Sequence, residues 1–526
     1  MSQAQFHRVQ QHKHRHQLWV RHFGIRGKFV LNTQLDCLLV IAGHDPSSGA
    51  GISADMAAAN ALGVMACSAI TALTVQNSQG VLAVHPVLPK IMQAQVQALL
   101  ADMPIAVIKI GMIGSRVMVS CLVNILTDVQ VPIVLDTVFK ASVGENLLET
   151  GARQLFVTRL LPMATLITPN IPEAEQLTGL TINTRAQQLE AAQALLAMGA
   201  KAVLLKGGHF VDYLAADLLL QRGQSPIWLI APTIDSVHSH GSGCVLASSI
   251  AAGLVQGLDI VSAVVQAKAR VHGGIVHSQL LGQGVGAVAT QGWQPNSQHF
   301  PWLVQAKQPA DLMQSFPAMP YSIGIYPIVS RADDLLPLLQ AGCRTLQLRV
   351  KSEDRLLVQQ QIEQAVAICR KHDDSQLFIN DHWLLAIAAG AFGVHLGEED
   401  WHALSLDEQQ QLRASGLRLG LSTHNLAEMA LAHAARPSYI AIGPLFGTTS
   451  KQVDYPSVGL QQLSTWTAWL KPDYPVVTIG GVEAKDIVAI RACGVDGVAV
   501  ISAVKANCSE QVLSLTKQLV NAWLYD

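Results

Sequence analysis

Between residues 323 and 502, short apolar runs alternate with longer stretches in which apolar residues recur every three or four positions. The runs lie at 323–329, 345–350, 377–380, 393–396, 418–422, 439–445, 476–479 and 497–501. Such runs are strand-length and the intervening stretches helix-length, so the pattern predicts eight βα units. Nearly every run ends, at its C-terminal tip, in residues suited to phosphate or metal: Arg349 and Lys351, Asn380 and Asp381, Asp400, Ser422, the 447–451 loop, Gly480 and Gly481, and Ser502. A closed (β/α)8 barrel carries its chemistry on the loops at that end of its strands. The pattern therefore predicts a compact TIM barrel over 321–526.

The alternation also runs through 36–292, with strands predicted at 38–42, 107–110, 133–135, 166–168, 203–205, 217–220 and 227–230. This is the rhythm of a layered α/β fold. Only a turn-like Arg222-Gly223-Gln224-Ser225 separates the last two strands, which predicts an antiparallel edge on a mostly parallel sheet. Residues 293–320 lose the rhythm and carry Pro295, Pro301, Pro309, Pro317 and Pro320, marking an inter-domain linker. Without structure, such a linker spans about 30 Å on average and tethers two sites without fixing them.

Length agrees with two domains, since 526 residues exceed what one core of roughly 250 residues organises. Charged residues make up 14% and the net charge is −2, so no broad basic field invites nucleic acid or anionic lipid. Phosphate must then be bound by local sites. The eight cysteines form no CxxC pair, and several lie in apolar stretches, as buried reduced thiols of a cytoplasmic protein do.

Mean hydropathy is +0.30, and residues 56–89 hold no charged side chain. Asn60, Gly63, Ser68, Thr71, Thr74, Gln76 and Asn77 interrupt that stretch before the roughly 20 apolar residues of a membrane span, which predicts buried helix and strand instead. The first 35 residues contain six Lys or Arg, five His and no acid. Their Gln/His-rich composition is read as a disordered leader or an upstream start rather than a Ser-rich transit peptide.

Two groups of residues carry the chemistry. In the first domain, Gly241-Ser242-Gly243-Cys244 opens a helical stretch, where glycines admit an anion and free helix N-terminal amides point at it. Asn170 and Glu173 stand at another predicted helix start, placed either to organise a hydrated Mg²⁺ or simply to cap the helix with Pro172 near its first position. Lys206, followed by Gly207 and Gly208, supplies a cation at a strand end.

With residues 42–55 (AGHDPSSGAGISAD), 71–80 (TALTVQNSQG), 109–115 (KIGMIGS), 168–179 and 206–209, the first domain resembles the hydroxymethylpyrimidine and phosphomethylpyrimidine kinases of the ribokinase superfamily. The resemblance implies a ribokinase-like fold. It also implies ATP- and Mg²⁺-dependent phosphorylation of 4-amino-5-hydroxymethyl-2-methylpyrimidine and then of its monophosphate. Cys244 would be the catalytic cysteine, Gln76 the partner of the aminopyrimidine edge and Met112 a pocket wall. Lys206 would serve the transferring phosphoryl group, and Asn170, Glu173, Lys206, Gly241, Ser242 and Gly243 the nucleotide. A cysteine acts as base only as thiolate, and its place at a helix start predicts a lowered pKa. Asp136, a further candidate carboxylate, precedes Thr137 where the family has proline.

In the second domain, Asp381 and Asp400 end neighbouring predicted strands, as a small hard cation bridging a pyrophosphate requires. Arg349 and Lys351 flank the same mouth. The motifs at 347–351, 379–381, 393–400, 421–424, 443–451 and 478–482 resemble thiamine phosphate synthase. That resemblance implies Mg²⁺ held by Asp381 and Asp400. Gln347, Arg349, Lys351, Asn380, Ser422 and Lys451 would contact the pyrimidine diphosphate, and Thr448, Ser450, Gly481, Ile501 and Ser502 the remaining substrate surface, chiefly the thiazole phosphate. Arg349, Lys351 and Lys451 would assist departure of pyrophosphate. Val350 and Glu398 stand where the family has glutamate and glutamine.

The combined expectation is a bifunctional thiamine-biosynthesis transferase acting on small molecules, without nucleic acid or membrane, in the cytoplasm and with homo-oligomerisation open. The competing reading joins a pyridoxal-type kinase to a non-catalytic barrel that binds thiamine phosphate.

Overall fold

A computed structural model describes residues 35–139, 149–208, 214–280, 282–305, 314–447, 455–505 and 508–525. The basic leader lies outside the described residues, as do Thr448, Ser450 and Lys451.

The first domain is built on a sheet of strands β1 (Cys37–His44), β2 (Met65–Asn77), β3 (Gly80–Pro86), β4 (Ile105–Ile110), β5 (Ile133–Leu135), β6 (Leu166–Ile167), β7 (Ala202–Leu205), β8 (Leu214–Gln221), β9 (Ile227–Pro232) and β10 (Trp302–Val304). Their order is β10-β9-β8-β7-β6-β5-β4-β1-β2-β3. Strands β2, β1, β4, β5, β6 and β7 run parallel, and β3 and β8 to β10 are antiparallel edges.

Strand β1 shows why the sheet is covered on both faces. Leu38, Val40 and Ala42 enter one core, Leu39 and Ile41 the other, and all five are buried. Strand order reverses beside β1, and the crevice at the carboxyl ends of strands at such a switch point is where open α/β sheets bind ligands. Five helices matter below: α1 (Gly51–Ala61), α2 (Ile171–Thr178), α3 (Ser242–Val255), α4 (Ile260–Val276) and, in the barrel, α5 (Leu426–Ala435).

The uncharged 56–89 stretch resolves into the end of α1 followed by the β2–β3 hairpin. The antiparallel edge predicted at 217–230 is present as β8 and β9, and it continues into the linker. Trp302, Leu303 and Val304 pair with Ile230, Leu229 and Trp228. Ser297 donates through its amide and hydroxyl to the Lys471 carbonyl in the barrel, and the Phe300 ring meets Trp469 edge-on at 5.5 Å. Helix α4 packs directly on α5. Residues 297–304 of the linker are therefore packed and end in a strand, so it is not the tether that a linker without structure would be. Proline marks turns, while the apolar run Trp302-Leu303-Val304 between them is a short edge strand.

The second domain is a closed, all-parallel barrel of β11 (Gly324–Val329), β12 (Thr345–Leu348), β13 (Gln376–Asn380), β14 (Gly393–Leu396), β15 (Arg418–Thr423), β16 (Tyr439–Ile442), β17 (Val476–Ile479) and β18 (Gly497–Val500). Tyr326, Phe378 and Tyr439 fill its interior, and small residues make room for them. A Cβ on Gly420 would meet the Tyr439 ring at 2.2 Å.

Leu303 is 2% exposed, so Leu303→Ala is expected to lower stability by about 2–5 kcal/mol. A chemical-denaturation midpoint unchanged by the substitution would show a loose linker instead.

Candidate active sites

The first cavity, about 740 Å³, lies at the carboxyl ends of the central strands. It gathers Gln76, Met112, Asn170, Glu173, Lys206, Gly241, Ser242, Gly243 and Cys244, each of the residues singled out in that domain. Gly241 caps α3 in the left-handed region, at φ 77°, and a Cβ there would meet the Gly49 carbonyl at 1.8 Å. Only glycine lets these two loops approach so closely. The amides of Gly243 and Cys244, second and third in α3, have no acceptor within the helix. A Cβ on Gly243 would lie 3.5 Å from Lys206 Nζ, so the helix start and the ammonium share one space, as an anion cradle requires.

Lys206 Nζ lies 3.7 Å from Asp136 Oδ1. Burial works against the Lys206 charge, but Asp136, Glu173 and Asp217 outweigh it and raise the pKa. Asn170 takes the capping role left open in the sequence. Its Oδ1 accepts the Glu173 amide at 2.8 Å, Glu173 Oε2 accepts the Asn170 amide at 2.9 Å, and the Thr137 hydroxyl donates to the same Glu173 oxygen at 3.0 Å. Thr137, in place of the family's proline, thus serves to hold Glu173.

The lowered pKa expected at Cys244 is not found. Burial pushes the thiol up to about 12, aided by the negative charges of Asp55 and Asp136. The Lys109 ammonium and the Gly51 amide oppose the rise without cancelling it. Loss of hydration costs a buried thiolate more than its helix start returns.

The sequence reading missed a polar group beside Gln76. His240 Nε2 lies 3.1 Å from Asp45 Oδ2 and 3.2 Å from the Gln76 amide nitrogen. One ring nitrogen cannot donate to Asp45 and accept from the Gln76 amide together, so the two contacts compete for His240 Nε2, while the Gln76 amide oxygen accepts from the Thr74 hydroxyl at 3.3 Å. Asp45 is held below its usual range, because hydrogen bonds from His240 and Ser47 together outweigh burial. The quoted 42–55 motif contained Asp45, but its partner is 195 residues away in sequence.

The second cavity, about 220 Å³, opens at the carboxyl ends of the barrel strands. Gln347, Arg349, Asn380, Asp381, Asp400, Ser422, Gly481, Ile501 and Ser502 line it. Lys351 is exposed and does not. Beneath the mouth runs a buried polar chain absent from the sequence reading. Gln347 Nε2 donates to the Tyr326 hydroxyl at 3.1 Å, which lies 2.9 Å from that of Tyr439. His395 bridges Tyr439, at 2.7 Å, to Ser422, at 2.9 Å. Gln347 and Ser422, on opposite sides of the mouth, are thereby locked by the barrel floor.

Asp381 sits in the left-handed region, at φ 63°. Its pKa is raised, first by burial and then by the Asp400 charge, with Arg349 opposing. A carboxylate whose charge is disfavoured by burial and by a neighbouring acid suits a hard cation, and oxygen donors of this kind fit Mg²⁺, which keeps waters and takes phosphate oxygens for the rest of its shell. Among the described residues no cluster of three or more His, Cys, Asp or Glu is arranged around a metal. Glu398, the departure beside Asp400, is raised to about 6 by burial and by Glu428 and Glu399, and lies 3.3 Å from His402 Nε2.

Comparison with known proteins agrees with this division. Residues 45–289 match the family model of phosphomethylpyrimidine kinase, and 325–504 that of thiamine monophosphate synthase. The chloroplastic thiamine biosynthetic bifunctional enzyme of Arabidopsis thaliana is 33% identical over 89% of both chains. The hydroxymethylpyrimidine/phosphomethylpyrimidine kinase of Streptomyces coelicolor is 40% identical, over 49% of this chain and 94% of its own. The thiamine-phosphate synthase of Serratia proteamaculans is 44% identical, over 37% and 89%. No helix among the described residues is long and apolar enough to cross a membrane. With one relative matched along nearly the whole of both chains, this protein belongs to the bifunctional thiamine biosynthetic enzymes, an α/β phosphomethylpyrimidine kinase domain followed by a TIM-barrel thiamine phosphate synthase domain.

Proposed function

We propose that the chain phosphorylates hydroxymethylpyrimidine and its monophosphate with ATP, then joins the diphosphate to hydroxyethylthiazole phosphate, giving thiamine phosphate and pyrophosphate. The observation that carries this reading is chemical continuity. One cavity sets a sulfur beside an anion cradle, and the other sets two acids and an arginine at a barrel mouth. The diphosphate formed in the first is the kind of anion the second holds.

In the kinase cavity, Gln76 orients the aminopyrimidine edge and Met112 walls the ring. Cys244, once ionised, takes the hydroxymethyl proton. The freed oxygen attacks the γ-phosphorus of ATP and ADP departs, while Lys206 and the Gly243 and Cys244 amides hold the transferring phosphoryl group. In the second round the monophosphate oxygen is the attacking atom. Asn170 and Glu173, joined by their capping box, shape the nucleotide side of the cavity.

At the barrel mouth the C–O bond to pyrophosphate breaks with its electron pair leaving on pyrophosphate. The aminopyrimidine spreads the resulting positive charge, and the thiazole nitrogen forms the new C–N bond, so no protein nucleophile is needed. Arg349 holds the leaving anion; Lys351 at the rim and Lys451 share that role. Gln347, Asn380 and Ser422 orient the pyrimidine, and Thr448, Ser450, Gly481, Ile501 and Ser502 receive the thiazole phosphate. Asp381 and Asp400 would hold Mg²⁺, which when bound supplies charge neutralisation of the pyrophosphate.

Incubating the purified chain with hydroxymethylpyrimidine, thiazole phosphate, ATP and Mg²⁺, with every intermediate read by mass, tests the whole sequence. Pyridoxal offered in parallel should be the poorer phosphoryl acceptor. Asp381→Ala or Asp400→Ala should lower coupling by about 100-fold or more and spare pyrimidine phosphorylation, and Cys244→Ala should do the reverse. Equal loss of both activities from either change would contradict independent sites. Because burial and Asp400 raise the Asp381 pKa, protons compete with the cation as pH falls. The Mg²⁺ concentration that half-saturates coupling should therefore rise as the pH is lowered toward the raised Asp381 value.

A further inference from the structure

Directly under the kinase cavity, but not lining it, lies a fully buried ion pair. Lys109 Nζ, at the end of β4, donates to both oxygens of Asp55 on α1, at 2.7 and 2.8 Å, and both side chains are 0% exposed. Ser248, on α3 one turn below Cys244, donates to Asp55 Oδ1 at 2.6 Å. The site leaves the lysine little freedom to shift, since a Cβ on Gly111 would meet its Nζ at 3.0 Å. Stability alone gives weak grounds for such a pair, because replacing a buried salt bridge by apolar residues is often neutral or stabilising. Its surroundings give another reason. It joins α1, β4 and α3, and the amide of Gly51, the first residue of α1, favours the Cys244 thiolate.

Resting on the kinase reading above, we infer that Lys109, clamped by Asp55 and Ser248, is a positioning residue whose fixed positive charge sets how readily the Cys244 sulfur ionises. The charged groups that bear on that sulfur are Lys109 from β4, Asp55 from α1, Asp136 after β5 and Lys206 after β7. Lys109 opposes the burial that disfavours the thiolate, and Asp55 adds to it. Asp55 thus has two effects of opposite sign: it holds the lysine in place and partly offsets the lysine's field. The Lys109 pKa is itself held above the ordinary lysine value, since Asp55, Cys244 and Asp136 outweigh burial, so its charge persists across the working pH range.

The test reads the sulfur without requiring phosphoryl transfer. Iodoacetamide consumes only thiolate, forming an S–C bond and releasing iodide, so the rate at which the Cys244 peptide is alkylated follows the thiolate fraction. In the full-length chain, Lys109→Met should slow that rate about tenfold at each pH, the equivalent of one pKa unit. Asp55→Asn keeps an amide oxygen to accept from the Lys109 ammonium and removes the negative charge that partly offsets its field, and should speed it. Ser248→Ala removes a hydrogen bond and no charge, and controls for disturbed packing at the same spot.

A pair that serves only the fold would, when broken, loosen the site and move both variants the same way. Rates that shift together, a Lys109→Met rate equal to that of the native chain, or a Ser248→Ala change as large as that of Lys109→Met, would overturn the inference. Should one of the two charge variants fail to fold, the direction of the other against Ser248→Ala decides. A native chain that fails to phosphorylate the pyrimidine while these alkylation rates diverge would count against the kinase reading alone.

Discussion

Parallel strands buried on both faces are the constraint from which the rest of the molecule follows. In such a sheet each backbone group is paired and each side chain faces an apolar layer, so charge can be placed only at strand ends or at heavy cost within. In both halves the candidate chemistry gathers at the carboxyl ends. Cys244, Lys206 and Gly241 lie there in the first domain, and Arg349, Asp381 and Asp400 in the second. Helix starts arrive at the same end after each crossover, so free amides accumulate where anions are held.

Below each cavity, polar groups enter the interior as a hydrogen-bonded set. The Lys109–Asp55–Ser248 group lies under the kinase cavity, and the chain from Gln347 through Tyr326, Tyr439 and His395 to Ser422 lies under the barrel mouth. Each ties strands or helices together just below residues proposed to touch substrate. A bond made between groups already desolvated has fixed geometry, which exposed side chains at the rim do not share. The exposed Lys351 illustrates the contrast.

The linker changes the relation between the two halves. Its Trp302–Val304 strand extends the kinase sheet, while Ser297 and Phe300 reach the barrel, and α4 and α5 meet face to face. Helix α4 also carries Lys268, Val271, His272 and Ile275 into the kinase cavity wall, and α5 follows the strand that ends with Ser422 and Thr423 in the barrel mouth. The two cavities thus sit on elements that touch, within a chain whose product and substrate match.

Residue pattern alone determined both fold classes, the antiparallel edge and the strand ends that bear the candidate chemistry. Apolar periodicity and strand-end residue types are local properties, and a parallel sheet displays them in order along the chain. Tertiary structure decided what depends on distant partners. It paired Asp45 with His240 and Lys109 with Asp55, and it used Asn170 as a cap. It also reversed the expected ionisation of Cys244, because a helix start is visible in four consecutive residues whereas burial is set by everything packed around them. The prolines of the linker were equally legible, but whether the apolar residues between them find a sheet edge is settled only when β9 is there to receive them.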